Sequence, residues 1–429
     1  MPNPARPLRI LLRSAWQTVN IGDIGHTPGI LSLFAQYLPE AEITLWPKSV
    51  DRGVRQQLLA AFPQLRIAEG ELDGDGLPDS DSVREAFARC DVMVHGSGPS
   101  LLAIRHLEAW SRLTGKPYGV CGVTCDPTAF GATGSWEGGT LDAMRTTLMA
   151  LPPGRFSSHD EAVLRGAGFL FFRDTLSLDY VNRQLPGLRH IVFGADATFA
   201  CDLRDESKAE SFLRAHGLER DRFICVIPRL RWTPYHLMNA RTPNESDHAR
   251  DAVNARTRSS DHAALREMII RFVRHTGLSV LACPEMTYQV ELAREQLVDP
   301  LPDDVRPHVI WKDSYWLNDE ASSVYARALA VVSVENHSPI LALAQGTPAI
   351  FLRQPTDTVK GQMWPDLGLG DWFFEIEHAT GDALWDRLRT IHFDLPAARA
   401  RARRLHETAL RSDREMMAAV ASAASNLTN

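Results

Sequence analysis

Apolar and polar stretches alternate along the chain in a β/α order. Short apolar runs typical of buried strands lie at Arg9–Ala15, Val92–His95 and Tyr118–Val123, with helical apolar spacing between them. The same alternation resumes at Phe223–Pro228 and continues to Leu329–Val334. Because strands that alternate with helices form parallel sheets, the pattern predicts an α/β protein.

The length of the chain predicts two domains. A chain of 429 residues exceeds one ordinary core and suits two domains of roughly 200 residues each. We expect a first domain over residues 1–203 and a second over 204–395, with the polar run Asp202–Glu210 as a hinge. Residues 396–429 have a strongly helical sequence, and we expect this helix to pack back on the first domain.

One strand, turn and helix near the end of the second domain mark a candidate site. Leu329–Val334 is the strand, Ser338 is a typical N-cap before a proline, and Gly346 suits the end of the helix. In an open α/β sheet, the turn that follows a strand's carboxyl end faces the ligand crevice. This turn therefore predicts three site residues: Glu335, Asn336 and His337.

The N-terminal loop has the same organisation. The segment Pro28–Tyr37 has helical spacing behind Thr27 as its cap, and a glycine-containing polar loop precedes it. Such a loop binds a polar or anionic group, or it is an ordinary turn with a solvated His26. On the first reading, four of its residues belong to the site: Asn20, Gly22, Asp23 and His26.

Two further loops add candidates. Ser97 lies in the glycine loop His95–Ser100, after the strand that ends at His95. Arg229 and Arg231 leave the strand Phe223–Pro228. The polar segment Trp232–Asp261 that follows has no clear periodicity, and we interpret it as an ordered insertion or a mobile loop near the crevice.

Composition excludes several classes of partner. The formal charge of −7, with 44% hydrophobic and 23% charged residues, is ordinary for a soluble globular protein and gives no sign of a nucleic-acid partner. No stretch approaches the ~18 apolar residues of a membrane span. We therefore expect a cytoplasmic enzyme, and the oligomeric state stays open.

The cysteines indicate buried thiols rather than a metal site. Cys121 and Cys125 form a CxxxC without a second pair, which is weak evidence for zinc. We expect no metal and no cofactor. The six cysteines are scattered, mostly in apolar segments: Cys90, Cys121, Cys125, Cys201, Cys225 and Cys283.

Several of these segments resemble the polysaccharide pyruvyl transferase family. The resemblance rests on the loop Asn20–Asp23, on Arg173-Asp174 with Ser177, on the residues around His337, and on Lys360 in TDTVKG. It implies two Rossmann-like domains facing across a cleft, the architecture of B-type glycosyltransferases (GT-B-like).

The resemblance also implies an activity. The family transfers an enolpyruvyl-derived group from phosphoenolpyruvate to a sugar as a ketal, so phosphoenolpyruvate is the expected donor and a saccharide or glycan the expected partner. Arg173, Arg229 and Lys360 would then bind substrate. For Arg173 and Asp174 the alternative is a salt bridge between the domains.

The chain departs from the family at one position. Family members carry Arg-x-His where this chain reads Glu335-Asn336-His337, and that arginine is thought to hold the phosphate or carboxylate of the donor. Two anions ~4 Å apart repel by about 4 kcal/mol at an effective dielectric near 20. We expect Arg229 and Arg231 to supply the compensating charge.

Three hypotheses follow for function. The first is a pyruvyl transferase in which an acidic or histidine group protonates the donor's methylene carbon. The second is a glycoside hydrolase or a glycosyltransferase that uses Glu335 and Asp23 as general acid and base. The third is a catalytically silent glycan-binding relative. The predicted catalytic residues are Glu335, His337, Asp23 and His26.

Overall fold

Two parallel β-sheets organise the protein. The computed structural model describes residues 6–128, 139–188 and 190–425. Within these residues, seven strands form one sheet and six form another, and all of the strand pairs are parallel. The predicted α/β class is therefore confirmed.

The strands of both sheets are short. Those of the first sheet are β1 (Arg9–Ser14), β2 (Glu42–Pro47), β3 (Arg66–Ile67), β4 (Val92–His95), β5 (Tyr118–Val123), β6 (Phe169–Phe172) and β7 (Ile191–Phe193). Those of the second sheet are β8 (Phe223–Ile227), β9 (Ser279–Ala282), β10 (Val309–Trp311), β11 (Ala330–Ser333), β12 (Ala349–Arg353) and β13 (Phe373–Glu375).

Helices connect the strands and cover the sheets. Those up to the start of the second sheet are α1 (Ile21–Tyr37), α2 (Val54–Ala61), α3 (Asp81–Arg89), α4 (Ile104–Thr114), α5 (Leu141–Ala150), α6 (Ser158–Gly166), α7 (Thr175–Gln184) and α8 (Glu206–Ala215). The later ones are α9 (Tyr235–Met238), α10 (Glu245–Asp261), α11 (Ala263–Thr276), α12 (Gln289–Ala293), α13 (Asn318–Tyr325), α14 (His337–Ala344), α15 (Met363–Asp366), α16 (Gly381–Phe393) and α17 (Leu395–Ser425).

The strand order fixes where a ligand is expected to bind. The first sheet has the order β3-β2-β1-β4-β5-β6-β7, and the second has the order β10-β9-β8-β11-β12-β13. In each sheet the order reverses at one point, between β1 and β4 or between β8 and β11. Ligands of open α/β sheets bind in the crevice outside the carboxyl ends of the strands at this reversal.

The central strands are apolar because both of their faces are covered. All residues of β4, β5, β8 and β11 are buried. Such strands have continuous apolar sequences rather than alternating ones, as parallel strands buried on both faces do. This explains why simple apolar runs predicted them.

Helix α1 begins earlier than its sequence predicts. The side chain of Asn20 accepts hydrogen bonds from the backbone N–H of Gly22 (2.7 Å) and Asp23, so Asn20 is the N-cap. The predicted start at Pro28 behind Thr27 is therefore wrong, because Pro28 lies inside the helix. Gly22, Asp23 and His26 consequently lie on the first turns of a helix rather than in a loop.

Helix α14 also begins one residue before the predicted cap. The helix starts at His337, and the backbone N–H of Ser338 donates a hydrogen bond to Glu285 Oε2 at 2.6 Å. A buried carboxylate from another loop thus caps this helix, in place of the Ser338 side chain. Gly346, just beyond the helix end, has a φ of 71°, as a helix-terminating glycine requires.

The polar segment Trp232–Asp261 is ordered, the first of the two predicted alternatives. Residues 245–261 form α10, whose start is fixed by reciprocal bonds between Asn244 and Asp247. Most of the helix surface is polar and exposed, so the sequence lacks the apolar period by which a helix is recognised.

The connections between the sheets lie near the predicted domain limits. Strand β7 ends at Phe193 and α8 begins at Glu206, so the latter part of the predicted hinge Asp202–Glu210 is helical.

The C-terminal helix contacts both halves of the protein. Helix α17 packs against α1 and strands β4, β5 and β6, and also against α14 and α16. The domain limits at 203 and 395 stay predictions. Among the described residues, no helix is long and apolar enough to cross a bilayer.

The two sheets meet where α1 faces α14. A Cβ atom added to Gly22 would lie 2.3 Å from Cβ of His337. Gly22 was predicted to bind substrate, and the structure gives it a steric role, since it lets α14 approach the first turn of α1.

We expect Gly22→Ala to destabilise the protein by about 1–3 kcal/mol, because the added methyl group must displace His337. The matched control is Gly74→Ala, since Gly74 is exposed and a Cβ there meets nothing within 4 Å. Chemical denaturation followed by tryptophan fluorescence compares the two. Equal midpoints for both variants would contradict this close approach.

Candidate active site

A cavity lies between the carboxyl ends of the two sheets. Its volume is about 140 Å³, and its walls come from the loops after β1, β4, β6, β8, β9, β11 and β12 and from α10. Eight of the predicted site residues line it: Asn20, Asp23, Arg173, Arg229, Arg231, Glu335, His337 and Lys360.

Cationic side chains outnumber carboxylates around the cavity. The five cationic residues are Arg173, Arg229, Arg231, Arg250 and Lys360, and the three carboxylic acids are Asp23, Glu335 and Asp357. Such a site favours an anionic ligand.

His337 is the centre of a buried cluster at this cavity. Its Nε2 lies 3.1 Å from Nε2 of His26 and 3.8 Å from Oδ2 of Asp196, and its Nδ1 lies 3.5 Å from Oε1 of Glu285. Burial alone would lower the pKa of His337, but the nearby carboxylates of Asp196 and Glu285 raise it to about 9. The ring is therefore an imidazolium at neutral pH.

His26 shares the proton of His337. A protonated His337 donates from Nε2 to Nε2 of His26, which fixes the remaining proton of His26 on Nδ1. In the described part of the chain that Nδ1 has no hydrogen-bond partner, and Oδ1 of Asp23 lies 3.8 Å away. His26 does not line the cavity itself, so it reaches the cavity only through Asp23 and His337.

Asp196 provides a buried negative charge beside the two histidines. It is fully buried, and Arg173 Nη1 donates a hydrogen bond to its Oδ2, which lies 3.4 Å from Nε2 of His26. Burial would raise the pKa of Asp196, but the positive charge of the histidine pair and of Arg173 holds it well below its usual range. Asp196 is therefore ionised.

The salt bridge of Arg173 differs from the predicted alternative. Arg173 pairs with Asp196, which follows β7 in the same sheet as β6, rather than with a residue of the second sheet. Asp174 instead caps α7 by accepting a hydrogen bond from Ser177 N at 2.7 Å. Nη2 of Arg173 is buried and has no acceptor among the residues that the structure describes.

In the described part of the chain, one group of side chains has the spacing of a metal site. Nε2 of His26, Oδ2 of Asp196 and Nε2 of His337 lie within 4.8 Å of one another. However, Arg173 already donates to the same oxygen of Asp196, and a metal would have to displace the proton between the rings. We interpret the group as proton-sharing, and the expectation of no metal stays a prediction.

Glu335 belongs to a second charged network. Its Oε1 accepts a hydrogen bond from Gln289 Nε2 at 2.6 Å and lies 3.3 Å from Arg229 Nε. Burial raises the pKa of Glu335 to about 7, although Arg229 opposes the rise. The structure thus pairs Glu335 directly with one of the two arginines that were expected to compensate it.

Arg229 and Lys360 share a further carboxylate. Asp357 accepts a hydrogen bond from Arg229 Nη1 and lies 3.4 Å from Lys360 Nζ. Burial would raise the pKa of Asp357, but these two cations hold it far below its usual range. Arg231 forms two bonds of 2.9 Å with Asp261.

Two predicted substrate-binding residues have structural partners and do not line the cavity. Ser97 Oγ accepts a hydrogen bond from the backbone N–H of Ala197 at 3.0 Å. Asn336 Oδ1 accepts one from Trp364 Nε1 at 2.8 Å. Both side chains are fully buried. They support the loops after β4 and β11 rather than facing the cavity.

Sequence reasoning missed five residues of these networks. Four of them come after the carboxyl ends of β7, β9 and β12, so their position in the β/α order was a usable signal. Arg250 lies on α10, where no period marked a helix. The missed residues are Asp196, Glu285, Gln289, Asp357 and Arg250.

Sequence comparison does not identify a family. No protein-family model matches the chain, and no curated protein matches its sequence.

Structural comparison identifies the fold. A putative UDP-N-acetylglucosamine 2-epimerase from Listeria monocytogenes superimposes with a TM-score of 0.55 at 11% identity, covering 92% of this chain and 91% of that one. HepE from Anabaena, solved in complex with UDP-glucose, gives 0.53 at 10% identity, with 98% and 99% covered. The UDP-GlcNAc 2-epimerase of Neisseria meningitidis, bound to UDP-GlcNAc, gives 0.52 at 11% identity, with 97% and 100% covered. The predicted GT-B-like arrangement of two Rossmann-like domains is confirmed.

The raised pKa of His337 predicts a pH dependence of stability. Because its pKa rises from 6.5 to about 9 on folding, its contribution is complete below pH 6.5 and is lost as the pH rises through 9. The change amounts to about 3 kcal/mol. Between pH 6.5 and 9.5 the unfolding free energy of the wild type should therefore fall by this amount because of His337. We expect His337→Gln to lack this contribution to the fall.

Denaturation at the two pH values measures this difference. The control is His159→Gln, since His159 is exposed and outside the cluster. An equal fall for wild type and His337→Gln would show that the ring is neutral in the folded protein.

Proposed function

We propose that the protein is a pyruvyl transferase that takes phosphoenolpyruvate in this cavity and transfers its pyruvyl group to a saccharide as a ketal. The observation that carries the proposal is the small, cation-rich cavity with an ionisable carboxyl group, Glu335, in its wall. Size, charge and proton chemistry each support it.

The size of the cavity favours a small donor. The cavity has a volume of about 140 Å³. Pockets for drug-sized ligands measure about 300–1,000 Å³. A three-carbon phosphate suits the space better than a complete nucleotide sugar does.

The charges suit a ligand with a phosphate and a carboxylate. Arg229 is fixed by Glu335 and Asp357 through Nε and Nη1, and its Nη2 has no protein partner among the described residues. The imidazolium of His337 adds a positive charge to the same wall. Guanidinium groups bind both phosphate and carboxylate in bidentate fashion.

Glu335 is suited to be the proton donor. With a pKa of about 7 it is substantially protonated near neutral pH, as a general acid must be. Its Oε1 is occupied by Gln289, whereas Oε2 has no hydrogen bond to any described residue. The same protonation removes much of the repulsion expected between this residue and an anionic donor.

The proposed reaction begins with protonation of the donor. Glu335 gives its proton to the methylene carbon of phosphoenolpyruvate, and a sugar hydroxyl adds to the adjacent carbon and loses its proton. Phosphate leaves that carbon, and a second hydroxyl adds there and loses its proton, which closes the ketal.

Asp23 is the candidate base for the sugar hydroxyls. It lines the cavity within reach of a bound sugar, and its Oδ1 lies 3.8 Å from Nδ1 of His26. His337 meanwhile keeps its own proton, because Asp196 and Glu285 both stabilise the imidazolium. Its role is to stabilise the anionic donor and the departing phosphate.

A second candidate is an enzyme that acts on a nucleotide sugar, including a glycosyltransferase or hydrolase with Glu335 and Asp23 as acid and base. Two of the structural neighbours were solved with UDP-sugars. A neighbouring cavity of about 510 Å³ shares Gln17, Asp23, Pro99 and Tyr235 with the first, which would extend the space available.

The third candidate is a glycan-binding protein without catalysis. The buried ionised cluster disfavours it, since such charges are costly to bury without a chemical use.

Phosphoenolpyruvate is expected to raise the melting temperature of the wild-type protein more than inorganic phosphate or UDP does. A ligand at a hundred times its Kd stabilises the folded state by about 2.7 kcal/mol. Differential scanning fluorimetry with all three compounds measures the order. A larger shift with UDP would favour the nucleotide-sugar candidate, and no shift at millimolar phosphoenolpyruvate would contradict the proposal.

Glu335→Gln is expected to lower pyruvyl transfer at least a hundredfold while phosphoenolpyruvate still binds. The variant keeps the volume and removes the proton, and general acid catalysis is worth about 10²–10⁴ in rate. The control is Glu295→Gln at the surface. Phosphate release in the presence of a saccharide reports turnover, and retained activity would reject Glu335 as the acid.

A further inference from the structure

Helix α10 brings one arginine to the wall of the cavity. Arg250 lies on this polar helix, is half-buried and lines the cavity. We propose that Arg250 binds the phosphate group of the ligand. The inference rests on the proposed function for the identity of the ligand, and on the structure for the residue.

The other four cations of the cavity already have carboxylate partners. Arg173 pairs with Asp196, and Arg231 pairs with Asp261. Arg229 and Lys360 share Asp357, and Arg229 also faces Glu335. Their charge is largely balanced before any ligand arrives.

Arg250 differs from these four in its surroundings. Within residues 6–128, 139–188 and 190–425 it forms no ion pair and no hydrogen bond, and it lies over the ring of Trp232. Its guanidinium carbon lies 4.8 Å from the centre of that ring. Stacking satisfies the flat face of a guanidinium and leaves its N–H edge free for an anion.

The backbone of Trp232, whose ring contacts Arg250, is held in place by the same helix. Asn254, four residues after Arg250 on α10, accepts a hydrogen bond from Trp232 N at 2.9 Å and donates one to Trp232 O at 2.8 Å. Asn254 is buried. The arginine, the ring and the helix therefore form one unit, and the guanidinium does not lose much freedom when it binds a ligand.

Both ends of α10 are also fixed. Reciprocal bonds between Asn244 and Asp247 fix its start, and Asp261 at its end binds Arg231, another residue of the cavity wall. Binding to a cation that is already in position costs less conformational entropy. Arg250 is thus a positioned cation without a carboxylate partner among the described residues, which suits the binding of a phosphate dianion.

The test compares Arg250→Gln with Arg256→Gln. Arg256 is an exposed arginine on the same helix, outside the cavity, with no ion pair among the described residues. Calorimetric titrations of inorganic phosphate, phosphoenolpyruvate and UDP measure Kd for each protein. We expect Arg250→Gln to weaken binding of the phosphate-bearing ligands at least tenfold, and Arg256→Gln to leave it unchanged.

A third variant separates charge from geometry. Arg250→Lys keeps the charge but lacks the flat fork, so an intermediate Kd is expected. Melting temperatures without ligand confirm that the variants are folded.

The outcomes separate this inference from the proposed function. If Arg250→Gln binds every anion as well as the wild type does, or if the wild type binds none of them, Arg250 does not have this role. If the wild type binds UDP but not phosphoenolpyruvate, and Arg250→Gln weakens UDP binding, the inference about Arg250 stands while the proposed pyruvyl transfer fails.

Discussion

The proton shared between His26 and His337 is the interaction on which the rest of the cleft depends. Each ring belongs to a helix that begins at the carboxyl end of a central strand, one from each sheet, and the two Nε2 atoms lie 3.1 Å apart. Two fully buried carboxylates, Asp196 and Glu285, flank the pair. Buried charges are stable only when they are paired. The imidazolium of His337 lies between both carboxylates and so links the two sheets by charge as well as by packing.

The second network around Arg229 sets the charge that a ligand encounters. Glu335 and Asp357 balance Arg229 and Lys360, but the raised pKa of Glu335 weakens its share of that balance. A carboxyl group in place of a cation at position 335 thus need not exclude an anionic donor. In the proposed reaction this carboxyl group supplies the proton that the donor accepts.

Much of this arrangement could be predicted from the sequence, because a parallel sheet places the residues after its strands at one edge. The apolar runs located the central strands, and the residues that follow them, such as Arg229 and His337, do line the cavity. Asp196 and Glu285 also follow strands, but their importance depends on contacts with residues far along the chain, which no local pattern records. The start of α1 was misplaced because Pro28 is typical of a first helical residue, whereas the Asn20 side chain fixes the actual start. Helix α10 was hidden because it buries little apolar surface.

Product analysis tests the central claim most directly. The purified protein is incubated with phosphoenolpyruvate and a panel of saccharides, and phosphate release is measured alongside mass spectrometry of the sugars. The account predicts that phosphate appears together with an equal amount of a saccharide carrying an acid-labile pyruvyl ketal, and only when a sugar acceptor is present. Modification or cleavage of a sugar without consumption of phosphoenolpyruvate would contradict it.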